Sequence, residues 1–419
     1  MLRLSSLLIL LCIAFPARAI LDIEVTGAGE HQLPIALIPF EGEAALDQHL
    51  TEIIANDLIR TGLFKLVDPL GKAPHDTKEV KFSEWGGVEA LSIGKVSKQA
   101  DGRIEVRFRL LDTVTKTELL GQAISSQAEQ TRAIAHRIAD TIYAKLTGTP
   151  GVFSTRIAYI NRQGKHNRLV IADSDGYGEQ TVLELNQPIM SPAWSPDGNS
   201  LAYVSFEQGR AMVYTQSLLT HKRLLLASFP GSNSAPAWSP DGKMLALVLT
   251  HEGSSQIYLV HADGHDLQRI SFSDTIDTEP SFTPDGRFLL FTSDRGGSAQ
   301  IYRMPVSGGS AERLTFEGSN NFSPRISPDG KSFVFAHYKE GRFYIATEDF
   351  ETKQLQILTP GGWEKKPSFA PNGKLVLFAT EVHGRGILAT VSSDGRVKQK
   401  MTSQQGDIRE PTWGPFYQP

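Results

Sequence analysis

The chain has 419 residues, with 42 Lys and Arg against 46 Asp and Glu, for a formal net charge of −4. That balance argues against nucleic acid or an anionic membrane surface as the main partner, since both demand a basic face. Only one cysteine is present, Cys12.

The first residues read as a secretory signal peptide. Arg3 gives a basic start, Leu7 to Phe15 an apolar run too short to span a bilayer, and Ala17-Arg-Ala19 a small-x-small cleavage pattern. Residues 1–19 are therefore expected to be removed, leaving Ile20 as the mature terminus. Lipid attachment at Cys12 is the competing reading, but Leu11 stands where a lipoprotein signal carries a small residue. Cleavage removes Cys12, and the mature chain then has neither disulfide nor thiol nucleophile. It also removes Arg3 and Arg18, so 40 basic residues face 46 acidic ones, a balance of −6.

Residues 20–150 read as a small α/β domain. Pro34 to Phe40 (PIALIPF) predicts a buried strand. Ala44 to Thr61 predicts a helix, with Leu46, Leu50, Ile53, Ile54 and Leu58 on one face and Gly62 at its end. Strands are predicted at Phe64 to Val67, Leu91 to Val96, Arg103 to Leu111 and Leu119 to Ser125, with Asp101-Gly102 as a hairpin turn. Gln127 to Leu146 predicts a second amphipathic helix, and Gly148-Thr-Pro-Gly151 marks the boundary. The first residues, Ile20, Leu21, Asp22, Ile23, Glu24, Val25 and Thr26, alternate apolar and polar. On their own they read as an edge strand of this domain.

Residues 151–419 repeat. PAWSPDG occurs at Pro192 and again at Pro236, followed by PSFTPDG at Pro280, PRISPDG at Pro324, PSFAPNG at Pro367 and PTWGPF at Pro411. The prolines are 44, 44, 44, 43 and 44 residues apart, the length of one four-stranded propeller blade. In the repeat at Ser234, PAW enters a first strand and Ser239 to Gly242 is a turn. Met244 to Leu249 and Gln256 to Val260 are the next strands, and Leu267 to Ser271 the fourth. RIAYI, RLVIA and QTVLEL, between Arg156 and Leu185, supply strands two to four of a blade whose first strand is at Pro411 to Trp413. The expected fold is thus an all-β, WD40-like propeller of six blades, closed by a split blade and preceded by the α/β domain.

Strand direction then sorts the loops. The SPDG turns all fall on one face. The loops before each first strand and those between strands two and three (SFEQGRA, LTHEGSS, TSDRGGS, AHYKEGR) fall on the other, where their variety suits recognition. Enzyme readings find little support. No G-x-S-x-G elbow occurs, and some 130 residues cannot hold a hydrolase domain. A propeller lyase or hydrolase using channel residues is the remaining catalytic alternative. His261 and His265 flank a tight turn with poor metal-ligand geometry. Asp197, Asp241, Asp285 and Asp329 are explained by turn chemistry without calcium. No cofactor is expected. A channel-bound cation such as calcium stays open, with no residues to place it.

Taken in order, the signal peptide, the α/β domain, TRIAYI (Thr155 to Ile160), DSDGY (Asp173 to Tyr177), MSPAWSPDG (Met190 to Gly198) and LAYVSF (Leu201 to Phe206) resemble the TolB family of the Tol–Pal system along the whole chain. The resemblance implies a non-enzymatic, monomeric periplasmic protein. It implies two partners: the peptidoglycan-associated lipoprotein Pal on the propeller, and the C-terminal domain of TolA on the N-terminal peptide Ile20 to Thr26. It also implies a role in outer-membrane integrity and in constriction at cell division. The family pattern Phe-Pro-x-His-Asn-x-Ala-Pro matches Phe229 to Pro236, with Ser232 in place of histidine and Ala235 in register. Asn-Thr-Glu-Pro matches Asp277 to Pro280. The resemblance therefore assigns Ser232, Ala235, Thr278 and Glu279 to Pal contact, where residue type alone reads Thr278 and Glu279 as ordinary loop polarity. It makes Ile20 to Thr26 a switch that packs back on the protein or adds as a strand to TolA.

Overall fold

The computed structural model describes residues 23–26, 32–401 and 405–416. The signal peptide with Cys12, and Ile20, Leu21 and Asp22 of the N-terminal peptide, lie outside the described residues.

The α/β domain begins at β2 (Leu33–Leu37), β1 (Ile23–Thr26) belonging elsewhere. Next come α1 (Leu50–Ile59), β3 (Phe64–Leu66), β4 (Ala90–Lys98), β5 (Ile104–Asp112), β6 (Thr117–Ser126) and α2 (Thr131–Thr147). The sheet order is β3-β2-β4-β5-β6, with β2 parallel to both β3 and β4. Both helices lie on one face, where Leu50, Ile54, Ile138 and Ile142 join Phe40 and Phe108 in one buried cluster. Ile38, Trp85 and Leu91 form a smaller cluster on the other face. The first helix is shorter than its periodicity predicts. Glu43–Ala45 makes a separate 3-10 turn, and His49 is extended (φ −80°, ψ 113°), so the helix starts only at Leu50.

Six antiparallel sheets form the propeller, their four strands named a to d from the channel outward. Blade 3, for example, runs Asn233–Trp238, Met244–Leu249, Gln256–His261 and Gln268–Arg269. Its strand d has two residues where Leu267 to Ser271 was expected. Ser271 leaves the ladder, because its hydroxyl accepts from the Ile257 N–H and donates to Gln256. Blade 1 is split as the repeat predicts. Its strand a is Asp407–Trp413, paired antiparallel with Arg156–Gln163. Trp413 is buried, its indole N–H donates to Thr155 Oγ1 (2.8 Å), and its backbone N–H to Ser368 Oγ (2.9 Å). Ile408, Ile157, Tyr159 and Leu388 pack around it and join blade 1 to blade 6.

β1 does not edge the α/β sheet. It pairs antiparallel with strand d of blade 6 (Lys398–Met401), Ile23 opposite Met401 and Thr26 opposite Lys398, making that blade five-stranded. Alternation predicts a strand but cannot say which open edge receives it.

The SPDG turns are built for packing. Asp241 accepts from Ser239 Oγ (2.7 Å) and the Lys243 N–H (3.1 Å), and Ser239 Oγ accepts from the Met244 N–H. Gly242 has φ 70°, and a Cβ there would lie 3.3 Å from the Pro196 ring of the preceding blade. Each turn therefore leans on its neighbour, and Asp241 Oδ1 serves the turn's own hydrogen bonds.

Candidate functional site: the two propeller faces and the channel

One face is covered. The α/β domain sits on the face that carries the SPDG turns, against blades 1 and 6. Asn372 in the blade 6 turn donates to the Pro150 carbonyl (2.9 Å). The blade 1 turn Asp173 to Tyr177, within DSDGY, receives α1 and α2. Arg60 donates to Ser174 Oγ (2.6 Å), whose hydroxyl donates on to the Phe153 carbonyl. Arg132 pairs with Asp173 and Asp175 and lies 4.0 Å over the Tyr177 ring. His136 Nδ1 meets Asp57 Oδ2 at 2.6 Å. Burial works against a charged His136, but Asp57, Asp173 and Asp175 outweigh it and hold the imidazolium up to about 10. Burial likewise opposes a charged Asp175, yet Arg60, Arg132 and His136 keep it below its ordinary value.

His136, Asp173 and Asp175 place ligand atoms within 4.8 Å of one another, the one such cluster among the described residues. The Arg132 guanidinium already meets both carboxylates, so a metal ion would have to displace it. The arrangement is an ion-pair network that seats one domain on the other. His261 and His265 are both exposed and outside this cluster.

The opposite face is open. Among the described residues it carries three largely exposed aromatics, each propped by a cation. Phe272 (76% exposed) lies under Arg269, Phe316 (73%) under Arg313 and Trp363 (56%) under Lys365, at 4.9, 5.0 and 4.1 Å. In two adjacent blades the device is the same. Arg269 Nε donates to the Ser271 carbonyl and Arg313 Nε to the Thr315 carbonyl, turning each guanidinium onto the phenyl ring one residue further on.

Between the faces runs the channel, and one ring of its wall is a repeated piece of strained backbone. Ser191, Ala235, Glu279, Ser323, Lys366 and Glu410 each precede the proline of strand a, and each has φ between 48° and 55°. Every strand a carries a register shift at this dipeptide. Proline cannot donate to strand b, and a bulge lets the ladder step over it. A positive φ is uncommon for a non-glycine residue and is a form of stored strain. The ring closes on a cavity of only about 30 Å³, room for a water or two.

Two of the four sequence-assigned Pal residues stand in this ring. Ala235 and Glu279 line it, inside strand a rather than in the preceding loop. Glu279 Oε1 accepts from Lys366 Nζ (2.5 Å) and Ser323 Oγ (2.6 Å), and Oε2 from the Ser323 N–H (2.8 Å) and Thr292 Oγ1 (3.0 Å). Burial opposes its charge, but Lys366 and these donors hold the carboxyl down at about 2. Thr278 is half-buried beside it, opposite Thr292. Ser232 is exposed in the open-face loop, its N–H donating to Thr250 Oγ1. The cationic aromatic props and the His136 network escaped the sequence reading. Signals for both were present: the paired R-I-S-F and R-L-T-F phrases, and Arg132, His136 and Asp140 at four-residue spacing inside an amphipathic helix.

The fold is a closed six-bladed propeller with one face covered by an α/β domain and the other lined with variable loops. Comparison with known proteins gives its kind. The family model described as the TolB amino-terminal domain matches residues 21–119, and that of the TolB beta propeller domain residues 143–417. The Tol-Pal system protein TolB of Aromatoleum aromaticum is 62% identical over 413 residues, 97% of this chain and 96% of that protein. That of Nitrosomonas europaea is 56% identical over 414 residues, 98% and 97%. The crystal structure of TolB from Acinetobacter baumannii superposes with a TM-score of 0.88 at 39% identity, over 94% of this chain and all of that one. The chain belongs to the TolB family of Tol–Pal system proteins.

Proposed function

We propose that this chain is the periplasmic, non-enzymatic scaffold of its Tol–Pal system. It binds the lipoprotein Pal through the open propeller face and the C-terminal domain of TolA through Ile20 to Thr26, as a monomer, without cofactor or metal. It thereby supports outer-membrane integrity and constriction at division. The observation that carries the reading is the division of labour between the faces. The α/β domain occupies the turn face, while the loop face offers Ser232, Thr278 and the Ala235–Glu279 ring, flanked by Phe272, Phe316 and Trp363. Exposed aromatics beside arginines are the side chains that dominate interface energies. At this ring the cavity is only about 30 Å³, which favours docking at its mouth over lyase or hydrolase chemistry at that point.

The N-terminal reading is supported by β1. It already lies as an added strand on an open sheet edge, the conformation in which a partner sheet would capture it. No helix among the described residues is long and apolar enough to cross a membrane. Calorimetry of the mature chain with soluble Pal and with the TolA C-terminal domain tests both arms. Removing residues 20–26 is expected to abolish TolA binding and leave Pal binding intact. Unchanged TolA affinity would show that the peptide is an edge strand only.

A further inference from the structure

The α/β domain carries a groove that neither partner above accounts for. β2 continues through α1 to β3 on one side of it, while β4 lies on its other side. In open α/β sheets, the crevice beyond the carboxyl ends of strands at such a divergence is where ligands bind. Here that crevice measures about 750 Å³ and is walled by Leu37, Phe40, Ala55, Leu66, Val67 and Pro69, within the range of about 300–1,000 Å³ typical of binding pockets. Leu66 at its wall and Leu70 beyond it are 37% and 78% exposed.

The polar groups say which ligand fits. The first turn of α1 would suit an anion, but the chain fills that place itself. The Glu43 carboxylate, buried in the groove wall, accepts from the Thr51 N–H (3.0 Å) and Thr51 Oγ1 (2.9 Å). Phosphate-bearing ligands would meet that carboxylate. On the rim stand Glu52 and Asp68, both exposed, and no cation of the described chain pairs with either. Lys65 precedes Leu66 on the strand, so alternation carries it to the other face of the sheet. Beside the groove, one edge of β3 faces no other strand among the described residues.

We propose that this groove docks an extended segment of a partner protein in which an apolar side chain is flanked by lysine or arginine. The apolar side chain fills the space between Phe40, Ala55 and Leu66. The flanking cations meet Glu52 and Asp68, and the backbone lies along the free edge of β3.

The probe is a fluorescent octapeptide of alternating leucine and lysine, compared by anisotropy with its glutamate counterpart on the whole mature chain. The lysine peptide is expected to bind at least about tenfold more tightly, the scale of one or two unscreened charge contacts. The double variant Glu52→Lys, Asp68→Lys, changed only at exposed positions, is expected to reverse that preference while still melting cooperatively, at a somewhat lower temperature because Asp68 Oδ1 accepts from the Leu70 N–H and Glu52 is the acid in the first turn of α1. Ala55→Trp, which fills the groove, is expected to weaken both peptides. Equal affinity for the two peptides, or a double variant that keeps the original preference, overturns the proposal. So does self-association of the chain that Ala55→Trp abolishes, since a second copy would then be the occupant. Pal and TolA binding are measured alongside and are expected to be unaffected by any of these changes.

Discussion

Ala235 offers a way to separate backbone strain from partner binding. It sits at φ 48° immediately before Pro236, and the five equivalent positions hold Ser191, Glu279, Ser323, Lys366 and Glu410. None of the six is β-branched. A branched Cβ at positive φ is a genuine outlier, and such strain costs of order 1–3 kcal/mol. Ala235→Val is therefore expected to destabilise the fold by that amount before any partner is considered. In a chain this large that lowers the melting temperature by roughly 1–4 °C. Ala235→Ser reproduces the residue of blades 2 and 5 and is expected to stay within about 0.5 kcal/mol of the parent. Ala235→Glu reproduces blades 1 and 4, so the backbone accepts it, but it places a carboxylate in the channel mouth. With Pal centred there, Ala235→Glu is expected to raise the dissociation constant about tenfold or more, close to 1.4 kcal/mol. Scanning calorimetry and titration calorimetry with soluble Pal read the two effects independently. A valine variant as stable as the parent would refute the strain argument. A glutamate variant that folds and binds Pal normally would place Ala235 outside the footprint.

Other expectations are as direct. Glu348 is 7% exposed in blade 5 and burial pushes its carboxyl up to about 7. Between pH 4.5 and 7 the folded chain keeps a proton that the unfolded chain releases, so stability falls across that window by about 3 kcal/mol. Glu348→Gln should remove that slope and raise the melting temperature at pH 8 but not at pH 4; identical pH profiles would show the group is not buried as a neutral acid. Trp413→Ala should cost about 3–5 kcal/mol, because it opens the seam between blades 1 and 6 and removes the indole donor to Thr155 Oγ1; a loss below 1 kcal/mol by urea titration would mean the split blade does not latch the ring. Phe316→Ser should weaken Pal binding with little change in urea midpoint, since its ring is largely in water; normal binding would move the footprint inward to the channel ring.

The repeat made the propeller legible because strands a to c and the SPDG turn are set by local chemistry: apolar runs, a proline, an Asp-Gly. Its closure followed from counting strands. What escaped the sequence depends on contacts between distant residues. Alternation at Ile20 to Thr26 predicted a strand, but only the fold shows that the open edge at Lys398 to Met401 receives it. The helix begun at Ala44 on periodicity starts at Leu50, because the Glu43 side chain spans the intervening turn to cap Thr51. Thr278 and Glu279 sat next to polar loop residues and read as loop, yet they lie in strand a, where the bulge turns Glu279 inward to Lys366. The docking of DSDGY needed Asp57, Arg60, Arg132 and His136 from two helices, and no single stretch of sequence holds them together.

The closing strand has a kinetic consequence. Trp413 donates its indole N–H to a residue 258 positions earlier in the chain. Closing a loop of that length, rather than one the length of a 44-residue repeat, costs only about 1.5 kcal/mol more in chain entropy, so equilibrium stability hardly registers the distance. Folding speed does, because long-range pairings are searched for slowly. During synthesis, the strand Arg156–Gln163 emerges early and must wait for Asp407–Trp413. Until then blade 1 keeps an unpaired edge, and the ring cannot close before Trp413 has been made. A nascent chain with that property exposes one sheet edge until its last repeat has emerged.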